Sequence, residues 1–226
     1  FLLANKILGF DITDVMFNGT VDDLKKTDIT QPAIFIHSCI TFHHNKVNDI
    51  SAFAGHSLGE FSALTCSSSL SFEEGLELVL IRARAMQNAC KNNDSTMAAI
   101  LAVSDSEVNA VCEGIENVIP ANYNCPGQIV ISGSIDGVEQ LSDIALSNNA
   151  KKVIPLPVSV AAHSSLMSDQ SKVFKSFVDK VIFKKPIVPV VNNVDVKTEE
   201  DENLIKDALV RQLFSSVRWV ETIEFM

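Results

Sequence analysis

The stretch Ile50-Ser51-Ala52-Phe53-Ala54-Gly55-His56-Ser57-Leu58-Gly59-Glu60 decides the fold. A short apolar run enters Gly-His-Ser-Leu-Gly. A helix-compatible run with Phe61, Ala63 and Leu64 leaves it. The order is strand, sharp turn, helix, with Ser57 at the apex. Such a turn strains the serine backbone and lifts the hydroxyl clear of the sheet. Gly55 and Gly59 are both expected to leave room for the tight strand–helix crossing. The amide of Leu58 is left free at a helix start, where it can face a developing oxyanion. Ser57 is therefore the candidate nucleophile; the alternative is an ordinary glycine-rich turn.

Working outward, residues 1–26 read as helical pieces with a turn at Asn18-Gly19. Thr30-Gln31-Pro32 opens the apolar segment Ala33 to Phe42. Proline favours the first helical position, so a buried helix is expected from near Gln31. On the other side, Ser71-Phe72-Glu73-Glu74 is a capping box. Leu76, Val79, Leu80, Ala83, Met86 and Cys90 then repeat at helical spacing, predicting a core-facing helix to about Asn92. Arg82 and Arg84 sit on opposite edges of its apolar stripe. Either could simply snorkel to water, and periodicity does not choose between them.

After the polar break at residues 92–95 the texture changes. Strands are expected at 97–103, 118–124, 128–132 and 152–158, and helices at 104–117 and 136–148, with a turn at Pro126-Gly127. The order βαββαβ is that of a ferredoxin-like unit. The expected fold is α/β: a hydrolase-like parallel-sheet core from residues 1–93 and 159–226, with a ferredoxin-like subdomain inserted at 94–158. Two such layers would enclose a cleft suited to a substrate. Downstream come a small-residue segment, Val158 to Met167, and a helix towards Lys180. A buried strand is expected at 187–191, ending at Asn192-Asn193, then a helix at 203–214 and a final piece, Trp219 to Met226.

Composition narrows the function. The 226 residues are 46% hydrophobic and 20% charged, as in a folded globular protein. No apolar run approaches the ~20 residues that span a membrane. Five scattered cysteines without a Cys-x-x-Cys pair point to reduced thiols rather than metal or disulfides. A net charge of −10 argues against nucleic acid. Without a secretion signal, a cytoplasmic location is expected, and a monomer.

A serine hydroxyl needs a base. His37, His43 and His44 lie on or after the buried helix and read as structural or solvent-facing. His56 adjoins Ser57, and neighbouring side chains at so sharp a turn usually diverge. His163 stands in a small-residue loop at a strand–helix junction, where catalytic groups gather in α/β folds. From position it is a base or a capping residue. No aspartate stands out as a third member.

Several stretches together resemble the malonyl-CoA:acyl-carrier-protein transacylase family of bacterial fatty acid synthesis. They are Thr30-Gln31-Pro32-Ala33, Gly55 to Leu64, Arg82 with Met86-Gln87, Met97 to Ile100 and Ala121 to Gly133. They continue through Leu156 to Ser159, His163-Ser164, Pro189 to Val196 and Val210-Arg211-Gln212-Leu213. The resemblance covers essentially the whole chain. It implies that Ser57 takes the malonyl group as an ester and that His163 is its base, then the acid for the departing thiol. Arg82, rather than Arg84, matches the arginine that grips the malonyl carboxylate, since a planar guanidinium fits a carboxylate at two points. Gln212 matches the residue whose backbone carbonyl orients the histidine. Leu58 would give one oxyanion amide, Gln31 would line the acyl pocket, and Asn122 or Asn124 the cleft on the subdomain side.

The implied reaction moves malonyl from malonyl-CoA to the phosphopantetheine thiol of an acyl carrier protein, with no bound cofactor and no metal. Carrier proteins are acidic, so docking would need a local basic patch. Lys151-Lys152 and Lys184-Lys185 are the candidates, against merely solvated lysines. One departure stands out. The family's N-terminal strand and Gly-Gln-Gly loop, which gives a second oxyanion amide, do not precede Phe1, and its C-terminal Gly-Pro-Gly segment is missing. An interior fragment of weak activity is expected. The competing readings are an acyltransferase domain of a polyketide-type synthase, a serine esterase and a non-catalytic binding module. Arg82 argues against an esterase, because a neutral ester gives that charge nothing to bind.

Overall fold

Each opening helix is stopped or started by a local cap. The computed structural model describes residues 1–91, 94–148, 150–158 and 160–226. Helix α1 (Leu2–Leu8) ends on Gly9, whose φ of 76° is a left-handed cap. Asp11 caps α2 (Ile12–Asn18), and a Thr20–Asp23 capping box starts α3 (Val21–Leu24).

Helix α4 runs Thr27–Asn45, so it begins one turn earlier than expected, with Pro32 inside it. Proline at that depth leaves the carbonyl four residues back without its helical donor. The start is instead held by Thr30, whose hydroxyl bonds the Leu24 and Lys26 carbonyls. Phe35, Ile36 and Cys39 form its buried face.

The nucleophile turn lies between β1 (Phe53–Ala54) and α5 (Gly59–Cys66). Helix α6 (Phe72–Ala89) starts at the expected Ser71–Glu74 box and buries Leu76, Val79, Ala83 and Met86. It ends before Asn92, which lies outside the described residues.

Strand β2 (Ser95–Leu101), α7 (Asp105–Glu113), β3 (Val118–Cys125), β4 (Gln128–Ser134), α8 (Ile135–Ser147) and β5 (Lys152–Pro155) follow. The strands form one antiparallel sheet in the order β3-β4-β2-β5. That is the ferredoxin-like order expected from βαββαβ. Its two faces differ. One, with Ile100, Ile129 and Ile131, packs on Val108, Val138 and Leu141 from α7 and α8. The other, with Met97, Ala99, Ala121 and Val130, packs on Leu156 and Ala162. The expected boundaries of this unit, at residues 93 and 159, lie outside the described residues.

A 3₁₀ turn at Ser165–Met167 leads into α9 (Ser168–Val178). The strand expected at 187–191 shrinks to β6 (Val190–Val191), parallel to β1. Pro186 and Pro189 bring no N–H to a ladder, and Ile187 is 75% exposed. Pro189 contributes only its carbonyl, which accepts from Phe53 N–H at 2.7 Å. Helices α10 (Glu202–Gln212) and α11 (Trp219–Phe225) close the chain.

The segment between α10 and α11 ties the two sheets together. Tyr123 N–H donates to the Val217 carbonyl at 3.0 Å, and Val217 N–H to Ala121 at 2.8 Å. His163 N–H donates to the Leu213 carbonyl at 3.0 Å. These bonds bring 163, 212 and β3 together although they are distant in sequence.

Candidate active site

Ser57 has a φ of 51°, left-handed and non-glycine, as a strand–turn–helix apex requires. Gly55 is obligatory by close approach: a Cβ there would lie 2.0 Å from the carbonyl carbon of Gly59. Gly59 is different. A Cβ on it would meet nothing within 4 Å, so the crowding expected at both glycines holds at Gly55 alone. Gly59 matters as the backbone that Gly55 must let pass.

Three side chains meet at one oxygen. Ser57 Oγ lies 2.8 Å from His163 Nε2 and accepts from Arg82 Nη2 at 2.9 Å. The His163 ring is fixed from behind, since Nδ1 donates to the Gln212 carbonyl at 2.8 Å. With Nδ1 holding the proton, Nε2 is left as the acceptor facing the hydroxyl. A backbone carbonyl thus occupies the place of the missing aspartate. Burial, and then the Arg82 charge, pull the His163 imidazole down to about 3, against the Gln212 carbonyl that favours its cation. It is neutral at ordinary pH, the form a base needs.

Arg82 is 1% exposed on α6. Nη1 donates to Gln31 Oε1 at 2.7 Å, and Nη2 also reaches Gln212 Oε1 at 3.1 Å. Its Nε has no partner among the described residues. Burial lowers the guanidinium to about 10, still charged at neutral pH. Gln31 is itself anchored, its Nε2 donating to Met86 Sδ at 3.3 Å. The Leu58 N–H, at the start of α5, makes no hydrogen bond among the described residues. It is available to an oxyanion.

On the subdomain side the nucleophile turn meets β3. Asn124 Oδ1 is 2.8 Å from His56 Nε2, and the His56 ring meets Trp219 edge-on at 5.4 Å. His56 does diverge from Ser57, as its position implies, and it spans from the turn to the second sheet. Asn122 is buried beside Val217. Lys151 and Lys152 are exposed at the start of β5 and make no ion pair among the described residues. Lys185 pairs with Glu200 at 2.6 Å. Among the described residues no group of three or more His, Cys, Asp or Glu could hold a metal ion.

Two residues of this site had no role in the sequence reading. Asn193, fully buried after β6, takes Ser57 N–H on Oδ1 at 2.6 Å and gives Nδ2 to the Gly55 carbonyl at 2.9 Å. It fastens both sides of the turn. A polar residue at the carboxyl end of a parallel strand is the signal that could have found it. Glu60, in the first turn of α5, is 2% exposed. Its Oε2 accepts from Gln212 Nε2 at 2.7 Å and from Asn193 N–H at 3.0 Å. Gln212 Nε2 also reaches the Ser57 carbonyl at 3.1 Å.

Asn193→Ala leaves the half-buried Ser57 N–H and the buried Gly55 carbonyl without that partner, at up to ~1–3 kcal/mol each. We expect a loss of ~2–4 kcal/mol in stability and a transfer rate down more than ~tenfold. Thermal denaturation and initial rates check this. A melting point within about a degree of the parent, with the rate intact, would contradict it.

A strand–turn–helix serine, a carbonyl-oriented histidine and a buried arginine thus form one hydrogen-bonded cluster, an arrangement suited to acyl transfer through the serine. Residues 4–226 match the family model described as the acyl transferase domain. A malonyl CoA-acyl carrier protein transacylase of Escherichia coli is 38% identical over 232 aligned positions, covering all of this chain and 75% of that protein. The solved structure of the Coxiella burnetii malonyl CoA-acyl carrier protein transacylase matches with a TM-score of 0.95 at 35% identity, over 100% of this chain and 73% of that one. A malonyl-transacylase solved in complex with a type II polyketide-synthase acyl-carrier protein matches with a TM-score of 0.95 at 36% identity, over 100% and 75%. The chain belongs to the malonyl CoA-acyl carrier protein transacylase family.

Proposed function

We propose that this chain moves a malonyl group from malonyl-CoA to the phosphopantetheine thiol of an acyl carrier protein, for fatty acid synthesis, through an ester on Ser57. The supporting observation is the convergence on Ser57 Oγ of a histidine 106 residues away and an arginine 25 residues away, both within 2.9 Å. Arg82 supplies the selectivity. A buried guanidinium favours an acyl group that ends in a carboxylate, and acetyl has none.

His163 Nε2 takes the Ser57 proton as Oγ attacks the thioester carbonyl. The oxyanion meets the Leu58 N–H. As the carbon–sulfur bond breaks, His163 returns the proton to the CoA sulfur. The carrier thiol then enters, loses its proton to His163 and takes the malonyl carbonyl, and Ser57 recovers its hydrogen. Arg82 holds the malonyl carboxylate throughout, with Gln31 and Gln212 setting the guanidinium. Asn122 and Asn124 line the side where the pantetheine arm would lie. Carrier docking is assigned to Lys151 and Lys152, whose charges are unpaired among the described residues.

No helix of the described residues is long and apolar enough to cross a membrane. The test is incubation with malonyl-CoA and a holo carrier protein, reading the mass of the carrier. A malonyl increment on the phosphopantetheine arm is expected. Release of free malonate without any carrier product would make the chain a hydrolase and overturn the reading.

A further inference from the structure

Among the described residues, Glu60 and Arg82 are the two Asp, Glu, Lys or Arg side chains that are buried. No salt bridge joins them. The Gln212 amide stands between, taking Arg82 Nη2 on Oε1 and giving Nε2 to Glu60 Oε2. The amide dipole is thus aligned from guanidinium to carboxylate. The same carboxylate oxygen holds Asn193 N–H, and Asn193 holds the Ser57 N–H. The Glu60 carboxylate therefore bonds the supports of the site and makes no hydrogen bond to Ser57 or His163, while the Glu60 backbone N–H donates to the Ser57 carbonyl at 3.1 Å.

We propose that Glu60 is the counter-charge of the acyl pocket and takes up a solvent proton when a malonyl carboxylate enters beside Arg82. This rests on the malonyl reading above. With Glu60 ionised, the buried pocket holds one positive and one negative charge. A malonyl carboxylate adds a second negative charge, and two carboxylates sharing one cation in a dry site do not both stay ionised at neutral pH. The malonyl group has the direct two-point partner, so it keeps its charge. Glu60 has only the neutral Gln212 and Asn193 donors, and it accepts the proton instead.

The surroundings agree. Burial already pushes the Glu60 carboxyl up to about 7, against the Asn193 and Gln212 bonds and the Arg82 charge that favour the anion. Arg82 faces it from α6. Asp195, on the loop after β6, raises it slightly and is itself held by Arg211 at 2.6 Å. Glu199 shares with Glu60 a cavity of about 10 Å³ and pairs with Lys197 at 2.7 Å. A further rise on ligand binding follows the same sign, and linkage then makes binding tighter as pH falls.

Calorimetry of the Ser57→Ala chain isolates binding from chemistry. Malonyl-CoA and acetyl-CoA are titrated near pH ~7.5 in two buffers of different ionisation heat, so that acetyl-CoA subtracts the phosphates. Malonyl-CoA is expected to take up most of one proton more than acetyl-CoA. Its affinity should weaken by up to ~tenfold per pH unit above neutrality. In the Ser57→Ala, Glu60→Gln chain, both the uptake and the pH slope should vanish while preference for malonyl-CoA remains. A purely structural Glu60 would leave the proton count unmoved. Malonyl preference with no extra proton in the Glu60-bearing chain overturns the proposal alone, whether or not the Gln variant folds. Absence of any malonyl preference overturns the malonyl reading and this linkage with it.

Discussion

Ser57→Ala is expected to reduce malonyl transfer by ~10⁴–10⁶-fold while leaving the fold in place. The hydroxyl is the only atom of residue 57 that meets both His163 Nε2 and Arg82 Nη2. Without it the thioester faces a base with nothing to deprotonate. The backbone supports survive, because Asn193 and Gln212 hold the N–H and the carbonyl of residue 57 rather than its side chain. Alanine tolerates a φ near 51° no worse than serine, so the strain is unchanged. Steady-state transfer to a holo carrier and a thermal melt measure the two halves. Residual transfer within ~tenfold of the parent would mean that the acyl group rides on another residue.

Arg82→Ala should abolish the preference for malonyl over acetyl. Removing one partner of a buried charge pair costs ~3–5 kcal/mol, or ~10²–10⁴-fold in malonyl loading. Acetyl loading has no such partner to lose. The substitution also strips donors from Gln31 and Gln212 and leaves Glu60 without its cation, so stability falls as well. The ratio of malonyl to acetyl ester on residue 57 is therefore the readout, since it cancels the folded fraction. Arg82→Lys keeps a charge but not the planar fork, and it should fall between parent and alanine. An unchanged ratio in both variants would remove Arg82 from substrate recognition.

Much of this was readable in the polymer. Gly55 to Gly59 announced the elbow because so sharp a turn admits few residues. Ser71 with Glu74 placed the start of α6, and its apolar spacing placed the arginine that the site uses on the edge of a buried face. The ferredoxin-like order followed from alternating patterns. What was not readable depended on partners far along the chain. Spacing could not separate Arg82 from Arg84, because the difference is which of them meets Gln31 and Gln212. Glu60 and Asn193 lay inside recognised stretches without a role, because each acts through residues more than a hundred positions away. Pro32 misled the start of α4, where the Thr30 hydroxyl holds the turn before it. Pro186 and Pro189 cut β6 to two residues of the expected five.

In this reading one serine carries the acyl group and one arginine chooses it. Peptide mass spectrometry after brief exposure to malonyl-CoA or acetyl-CoA tests both. A malonyl increment on the peptide bearing Ser57, with little or no acetyl increment under the same conditions, is the predicted result. A malonyl increment on any other residue, or equal labelling by the two thioesters, would contradict it.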